Sequence, residues 1–528
     1  MESKRERAAR GLYNLGNFIV RITGSLIFSF LVCGALVYTQ YMPPGGSEIP
    51  LNRLDSPLYN LLTLTMAGGM FALLAYLEKH LDAKARLLSG LLSGIAMVLW
   101  IAGAGIWWIN ASAHLPQGDQ AYIYGGASYF MAGQYDFLAP GGYCHMYPYQ
   151  LGLIALCELL FHLAGAFNYY AFEVICVILA AGSACCGYFI LRELTGNGLA
   201  VVGYNILMMG CLPLIFYTAW VYGDLPSIFF ALLAAWMLVA YSARSRYRYL
   251  VVMAIAMTFA MLVRRNSMIF MIAAGIVILL HTFRHKDKKI LLVFLVSVLL
   301  SQCAYGIIYK MYEVRSGYEH SEGMSMLVWF ATGLEETKGS CGWDNDYYKQ
   351  VYFESGYDLE AVSEAARESI SDRLETFQND PVYAGKFFGK KLLSQWNGPL
   401  YQALFFNSES PDLTGGPKPD SLAAGLWERY YEIALAFCDR WQFVVYVGML
   451  CYFLFCVKRE SELLWHVTAI AIIGGFLYSI FSEAKGRYAF PYYVMMFPFA
   501  AYGLKEAVCK GNTFCKRLKA CMQYKKSP

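Results

Sequence analysis

The 528 residues are 58% hydrophobic and 15% charged, with a mean hydropathy of +0.41, which excludes an ordinary water-soluble fold. A net charge of +4 on so long a chain argues against nucleic acid as the principal partner. The 41 tyrosines and 11 tryptophans, set among polar loops between apolar runs, fit helices that cross a bilayer and carry aromatic belts at its surfaces.

A bilayer core of about 30 Å needs roughly 20 apolar residues per helix. Windows of that size predict twelve spans, over 19–41, 58–78, 88–110, 168–191, 199–221, 224–243, 249–264, 267–283, 289–310, 441–457, 462–482 and 488–506. The first follows the basic segment Met1 to Arg10 and is too long for a cleaved leader, which places the N-terminus in the cytoplasm. Short cytoplasmic loops concentrate Lys and Arg. Lys79/Lys84/Arg86, Arg244/Arg246/Arg248, Arg284/Lys286/Lys288/Lys289, Lys458/Arg459 and the C-terminal tail are therefore assigned inside, and Ala111 to Phe167, with neither Lys nor Arg, outside. The apolar stretch Tyr147 to Ala166 is read as a juxtamembrane or half-inserted helix, because counting it as a crossing would put every later basic cluster outside. The competing assignment makes it a true span and merges two later segments.

Between Met311 and Arg440 lies a long polar region, read as an extracytoplasmic insertion. Within it, Asp358 to Asn379 is an amphipathic helix stopped by Asp380-Pro381. Val382 to Leu404, with Lys386, Lys390 and Lys391 around Trp396, has the pattern of an interfacial helix, and Asn407 to Asp420 that of a loop. The expected fold class is thus an all-α integral membrane protein with about twelve transmembrane helices, outer juxtamembrane helices and an extracytoplasmic helical insertion. It divides into a core, 1–310, with a functional outer loop at 111–167, the insertion, 311–440, and C-terminal helices with a basic cytoplasmic tail, 441–528. Most of the 15 cysteines fall inside apolar runs, with Cys144 and Cys341 in outer loops, and neither a disulfide framework nor a structural zinc spacing is evident.

Charges near a membrane are costly, so those that persist are functional candidates. On this topology one face gathers Asp119, Asp136, His145 with Tyr147 and Tyr149, Asp224, Arg264 and Arg265, and Lys485, Arg487 and Tyr488. Sugar transfer needs such a set: a carboxylate to take the acceptor's proton and cations to hold the leaving phosphate. Asp119 suits the first role, and Arg264, Arg265, Lys485 and Arg487 the second. Each has a plainer reading: Asp119 and Asp136 as solvated loop acids, Asp224 as a helix N-cap, Lys485 and Arg487 as interfacial anchors, and the tyrosines as an aromatic belt. The Arg264-Arg265 pair lies on the side that the charge rule disfavours for basic residues, which favours a functional role.

In order along the chain, Asp119 in an outer loop, GGASYFMAGQYDF, YPYQLGLIALCELLFHLAG, WVYGDLPS and SEAKGRYAFPYY resemble the C-type superfamily of polytopic glycosyltransferases. The pattern is nearest to bacterial relatives of the protein O-mannosyltransferases and of the lipid A aminoarabinose transferase, and FFGKKLLSQWNGPLY resembles their outer juxtamembrane helix. The resemblance implies a polyprenyl-phosphate-linked sugar donor, an extracytoplasmic acceptor, Asp119 as catalytic base, and Asp224 with the basic groups shaping the donor site. It also implies a plasma-membrane protein with both termini cytoplasmic and its site on the outer face. Two departures stand out: two spans, rather than one, precede the span leading into the Asp119 loop, and Gln120 stands where the family has a second acid, a role that then passes to Asp136 or Asp224. Some relatives bind a divalent metal nearby, but no ligands for one stand out here. The competing functions are a multi-span transporter or lipid-carrier flippase, and an envelope polysaccharide polymerase or ligase.

Overall fold

Backbone polar groups in hydrocarbon must be paired within their own segment, and the chain meets that constraint almost wholly with helix. The computed structural model describes residues 4–42, 48–112, 115–196, 198–337, 340–405, 430–459 and 461–524. Helix α1 (Lys4–Val37) leads into a hairpin of β1 (Tyr38–Tyr41) and β2 (Leu51–Leu54), antiparallel with Tyr38 opposite Leu54. Helix α2 (Pro57–His80) opens on a proline, whose missing amide costs nothing in a first turn, and α3 (Ala83–Ser112) follows. Three shorter helices come next, α4 (Asp119–Met131), α5 (Tyr143–Met146) and α6 (Leu151–Ala164). Helix α7 (Tyr169–Thr195) starts at Asn168, whose side chain accepts from the Ala171 amide. Helices α8 (Ala200–Met209) and α9 (Leu212–Phe216) belong to one apolar run broken by a 55° bend at Gly210-Cys211, just before Pro213.

Four helices then run back and forth: α10 (Asp224–Arg244), α11 (Tyr247–Val263), α12 (Met268–His285) and α13 (Lys288–Ser316). The polar region folds as α14 (Met326–Leu334), the two-residue strands β3 (Glu336–Thr337) and β4 (Ser340–Cys341), α15 (Tyr347–Glu354), α16 (Leu359–Asn379) and α17 (Pro381–Trp396). The chain closes with α18 (Tyr431–Phe455), α19 (Val467–Phe481) and α20 (Gly486–Tyr524), and α20 packs against α18, α8, α2 and α19.

Among the described residues, nine helices are long and apolar enough to cross a membrane, or ten if the bent α8–α9 run counts as one span. The other two of the twelve expected segments are also helical. Helix α11, at 17 residues, rises only about 26 Å, and the tyrosine-rich α20 carries Pro491 and Pro498 within it. Pro148–Ala164 is too short to join the nine.

Side-chain pairs sort the helix termini into two ends. One end joins Glu78 to Lys505 at 3.0 Å and to the Leu199 amide at 3.1 Å, Arg244 to Glu193 at 2.6 Å, Tyr241 to Asp287 at 2.5 Å, and Tyr13 to Glu462 at 2.6 Å. The other joins the hairpin to the later helices: Asn397 donates to the Tyr38 carbonyl at 2.6 Å and Thr39 to Asp439 at 3.0 Å. The polar segment 317–405 and the Asp119 loop lie at this second end.

The amphipathic helix expected at Asp358 to Asn379 is α16, with the Asp358 carboxylate accepting from the Glu360 and Ala361 amides and Pro381 opening the next helix. The interfacial reading of Val382 to Leu404 needs correction. Helix α17 ends at Trp396, and Lys391 and Trp396 turn into protein rather than toward a lipid surface. Lys391 donates to the carbonyls of Gly333 at 2.6 Å and Ile480 at 2.9 Å, and the Trp396 indole donates to Ser479 at 2.9 Å. Burial pulls the Lys391 ammonium down to about 7. The loop expected at Asn407 to Asp420 lies outside the described residues. The described cysteines are free, Cys144 and Cys341 included, and both of these are buried.

Helices α18 and α20 approach most closely through glycine. A Cβ on Gly503 would meet the Gly448 carbonyl oxygen at 2.1 Å and the Tyr452 amide nitrogen at 2.4 Å, backbone atoms that cannot swing aside. Gly503→Leu is expected to cost at least the ~1–3 kcal/mol of an overpacked core, read as a lower melting temperature of the detergent-purified protein. Gly68→Leu, where nothing lies within 4 Å, is expected to leave it unchanged.

Candidate functional site

At the second end the helices and the polar segment enclose a cavity of about 1040 Å³. Its wall comes from the start of α4 (Asp119, Tyr122), the turn around α5 (Tyr143, His145, Tyr147, Tyr149), Tyr222, the α11–α12 break (Arg264, Arg265), and the strip before and into α20 (Glu483, Lys485, Arg487, Tyr488). The polar segment adds Trp329, Asp344, Lys349, Glu360 and Arg367. Of the residues singled out in the sequence, Asp119, His145, Tyr147, Tyr149, Arg264, Arg265, Lys485, Arg487 and Tyr488 share this one wall. Asp136 and Asp224 do not.

Asp119 is the first residue of α4, and its Oδ2 accepts from Arg487 Nη2 at 2.8 Å. The Tyr143 hydroxyl lies 3.4 Å from its Oδ1. Burial alone would push this carboxyl up, but the Arg487 guanidinium and the Lys485 ammonium outweigh it and hold it below its usual 3.8. Arg487 in turn stands 5.4 Å over the Tyr222 ring and 5.5 Å over Tyr488.

Lys485 is a hub. Its Nζ lies 3.3 Å from Glu483, 3.6 Å from Glu48 and 3.9 Å from Asp344, carboxylates contributed by three separate stretches of chain. Although burial opposes the charge, Glu48 and Glu483 hold the ammonium well above its ordinary value. Asp344 also takes Lys349 at 3.2 Å, and against the effect of burial Lys485 and Lys349 together hold its carboxyl below 3.8. For Glu483 burial wins and the carboxyl is raised, while the Tyr488 hydroxyl donates to it at 2.9 Å.

Two expected roles change. Asp224, expected to be catalytic, is fully buried at the start of α10. Its carboxylate pairs with Arg264 and accepts from the Trp220 indole at 3.0 Å, so it holds Arg264 in the wall without reaching the cavity. Asp136, expected to bind substrate, sits on an exposed turn outside the cavity. The Gln120 side chain is completely buried and accepts from the Val221 amide at 2.8 Å, a position where an ionised carboxylate would carry a desolvation penalty. His145 lines the cavity and also binds the Tyr352 hydroxyl through Nδ1 at 2.7 Å, tying the α5 turn to the polar segment; burial lowers its pKa.

Sequence reasoning missed Glu48, Asp344, Lys349 and Trp329. The acidic run WDNDYYK was the available signal for two of them, but nothing in its spacing points to Lys485, about 140 residues later. The aromatic wall is ordered: Tyr122 stacks on Tyr143 at 4.4 Å, and Trp329 lies 6.3 Å from both Tyr147 and Tyr149. Stacked aromatics offer a face to a sugar ring, and the cations offer charge-assisted donors to a phosphate. Asp119, Asp344 and Glu483 are each already engaged by a cation, and among the described residues they form no metal-ligand cluster.

No protein-family model matches the chain, and no curated protein matches it. The two depressed carboxyls set a pH dependence: their ion pairs stabilise the fold above about pH 4 and that stabilisation is lost as pH falls through the lowered values. Asp344→Asn is expected to lower the melting temperature at pH 6 and to narrow the gap between pH 6 and pH 3.

Proposed function

We propose that the chain is a polytopic membrane glycosyltransferase of the C-type superfamily, moving a sugar from a polyprenyl-phosphate carrier to an extracytoplasmic acceptor. The observation that carries this reading is that the Asp119 carboxylate shares one large cavity with Arg264, Arg265, Lys349, Lys485 and Arg487. The acceptor is a cell-envelope polymer, glycolipid or protein hydroxyl. Its oxygen attacks the anomeric carbon while Asp119 takes its proton; the bond from that carbon to the phosphate oxygen breaks, and the electron pair leaves with the polyprenyl phosphate. The wall cations take up the charge that gathers on that phosphate.

In this reading all twelve helical segments cross the plasma membrane, the polar segment is an extracytoplasmic insertion, and both termini are cytoplasmic. The end holding Lys79, Lys84, Arg86, Arg244, Lys286 and Lys289 then faces the cytoplasm, as the positive-inside tendency favours. The cavity opens outside, where a headgroup delivered from the membrane meets a water-borne or lipid-borne acceptor.

The resting Asp119–Arg487 pair favours an order of events. Paired to Arg487 the carboxylate is a weak base; a donor phosphate that draws the guanidinium toward itself would raise Asp119's proton affinity only with donor in place.

Membranes from cells expressing the wild type and Asp119→Asn, supplied with radiolabelled polyprenyl-phosphate sugar, test the reaction. At equal protein level, loss of transfer by a factor of about 10²–10⁴, the usual contribution of a general base, is expected for Asp119→Asn. Undiminished transfer removes Asp119 as base, and label that crosses the bilayer while staying on its carrier replaces the transferase with a flippase. Orientation has its own test: a cysteine at the exposed Glu364 should react with an impermeant thiol reagent added outside intact cells, and one at the exposed Ser245 should not.

A further inference from the structure

The two imidazoles of α12 stand at the end of the bundle away from the cavity. Arg265, in the cavity wall, and His285 are separated by a 21-residue helical stretch, about 30 Å along the axis. His281 and His285, four residues apart, lie on one face of that helix with ring centroids 4.4 Å apart. Glu462, on the turn before α19, meets both: its carboxylate oxygens lie 3.0 Å from His281 Nδ1 and 3.3 Å from His285 Nε2. One ligand atom from each of the three residues falls within 4.8 Å of the others.

We infer that His281, His285 and Glu462 form a binding site for a divalent transition metal of the zinc type. Nitrogen and oxygen ligands at about 2.0–2.2 Å in a tetrahedron stand about 3.3 Å from one another. Each imidazole already lies near that distance from one Glu462 oxygen, His281 from Oε1 and His285 from Oε2, and ligation through a single oxygen draws together three ligand atoms that all lie within 4.8 Å of one another. Two imidazoles and one carboxylate leave a fourth position. His285 is exposed while His281 is buried, so that position faces the aqueous side, where a water molecule would fill it.

The carboxylate is held from behind, as ligands in metal sites usually are. The Tyr13 hydroxyl of α1 donates to Glu462 Oε1 at 2.6 Å and itself accepts from the Leu463 amide at 2.6 Å. Arg284 stacks 4.2 Å over the Tyr13 ring, a neighbouring positive charge that lowers the site's affinity for a cation but occupies none of the three ligands. A metal here joins α12 directly to the turn before α19, and through Tyr13 to α1. The chemistry is independent of sugar transfer, so the site stands or falls apart from the cavity.

Full-length protein in detergent, stripped with a chelator and dialysed against zinc or cobalt(II), tests the site. The expected result is one metal ion per chain, a visible cobalt(II) spectrum of the intense tetrahedral type, and a melting temperature that rises until one equivalent is bound. The paired His281→Ala and His285→Ala substitution should lose all three, whereas His320→Ala should keep them. Should the paired variant fail to fold, the wild-type cobalt(II) spectrum decides on its own. Absence of bound metal, or a cobalt–thiolate charge-transfer band placing the metal on the free cysteines instead, overturns the proposal.

Discussion

A charge set in a low-dielectric wall persists only with an opposite charge against it, and that requirement organises the cavity end of the molecule. Arg487 is met by Asp119, Arg264 by Asp224, and Lys485 by Glu48, Asp344 and Glu483. Every one of these pairs joins segments that are distant in sequence except Lys485–Glu483. The first hairpin, the Asp119 loop, the α11–α12 break, the polar segment and the strip before α20 are thereby drawn to one place. Removing one partner would leave the other buried and uncompensated, which is more costly than never having placed the pair.

The helices and their order were legible because hydropathy is a local signal. Each of the twelve apolar windows became helix, and α16 ends where the Asp380-Pro381 stop indicated. Two windows carry a weaker signal than the rest: α11 has only 17 residues, and α20 holds tyrosines and two prolines that the helices packed around it accommodate.

Within the site, residue types were more legible than roles. Asp119, the α5 tyrosines, Arg264, Arg265, Lys485 and Arg487 do line one cavity, because charges and aromatics at one end of an apolar bundle have few other places to go. Asp224 and Gln120 turned inward for a reason no spacing discloses: each answers a buried group on a neighbouring segment, Arg264 in one case and the Val221 amide in the other. Lys391 shows the same limit from the opposite direction. Its pattern with Lys386 and Lys390 reads as an interfacial face, yet the open carbonyls of Gly333 and Ile480 captured its ammonium. Glu48 and Asp344 were invisible because Lys485 lies far along the chain from both, and Lys349 because its pairs with Asp344 and Asp346 are local and do not point to the cavity. A two-residue strand pair and a short hairpin leave almost no periodic trace.

The pairing pattern also bears on how such a cavity would handle an anionic ligand. Asp119, about a third exposed, holds Arg487 from the cavity side, whereas Asp224 is wholly enclosed behind Arg264. On the proposed reading, an entering phosphate would compete with a partly solvated carboxylate for Arg487 but would leave the Asp224–Arg264 pair intact, since breaking that one would strand a buried acid. Two cations in one wall thus behave differently. Arg264 is a fixed element of the field, pinned over Tyr222 and Tyr488. On the proposed transferase reading, Arg487 would pass from Asp119 to the ligand, and the carboxylate so released would be the one placed to take a proton.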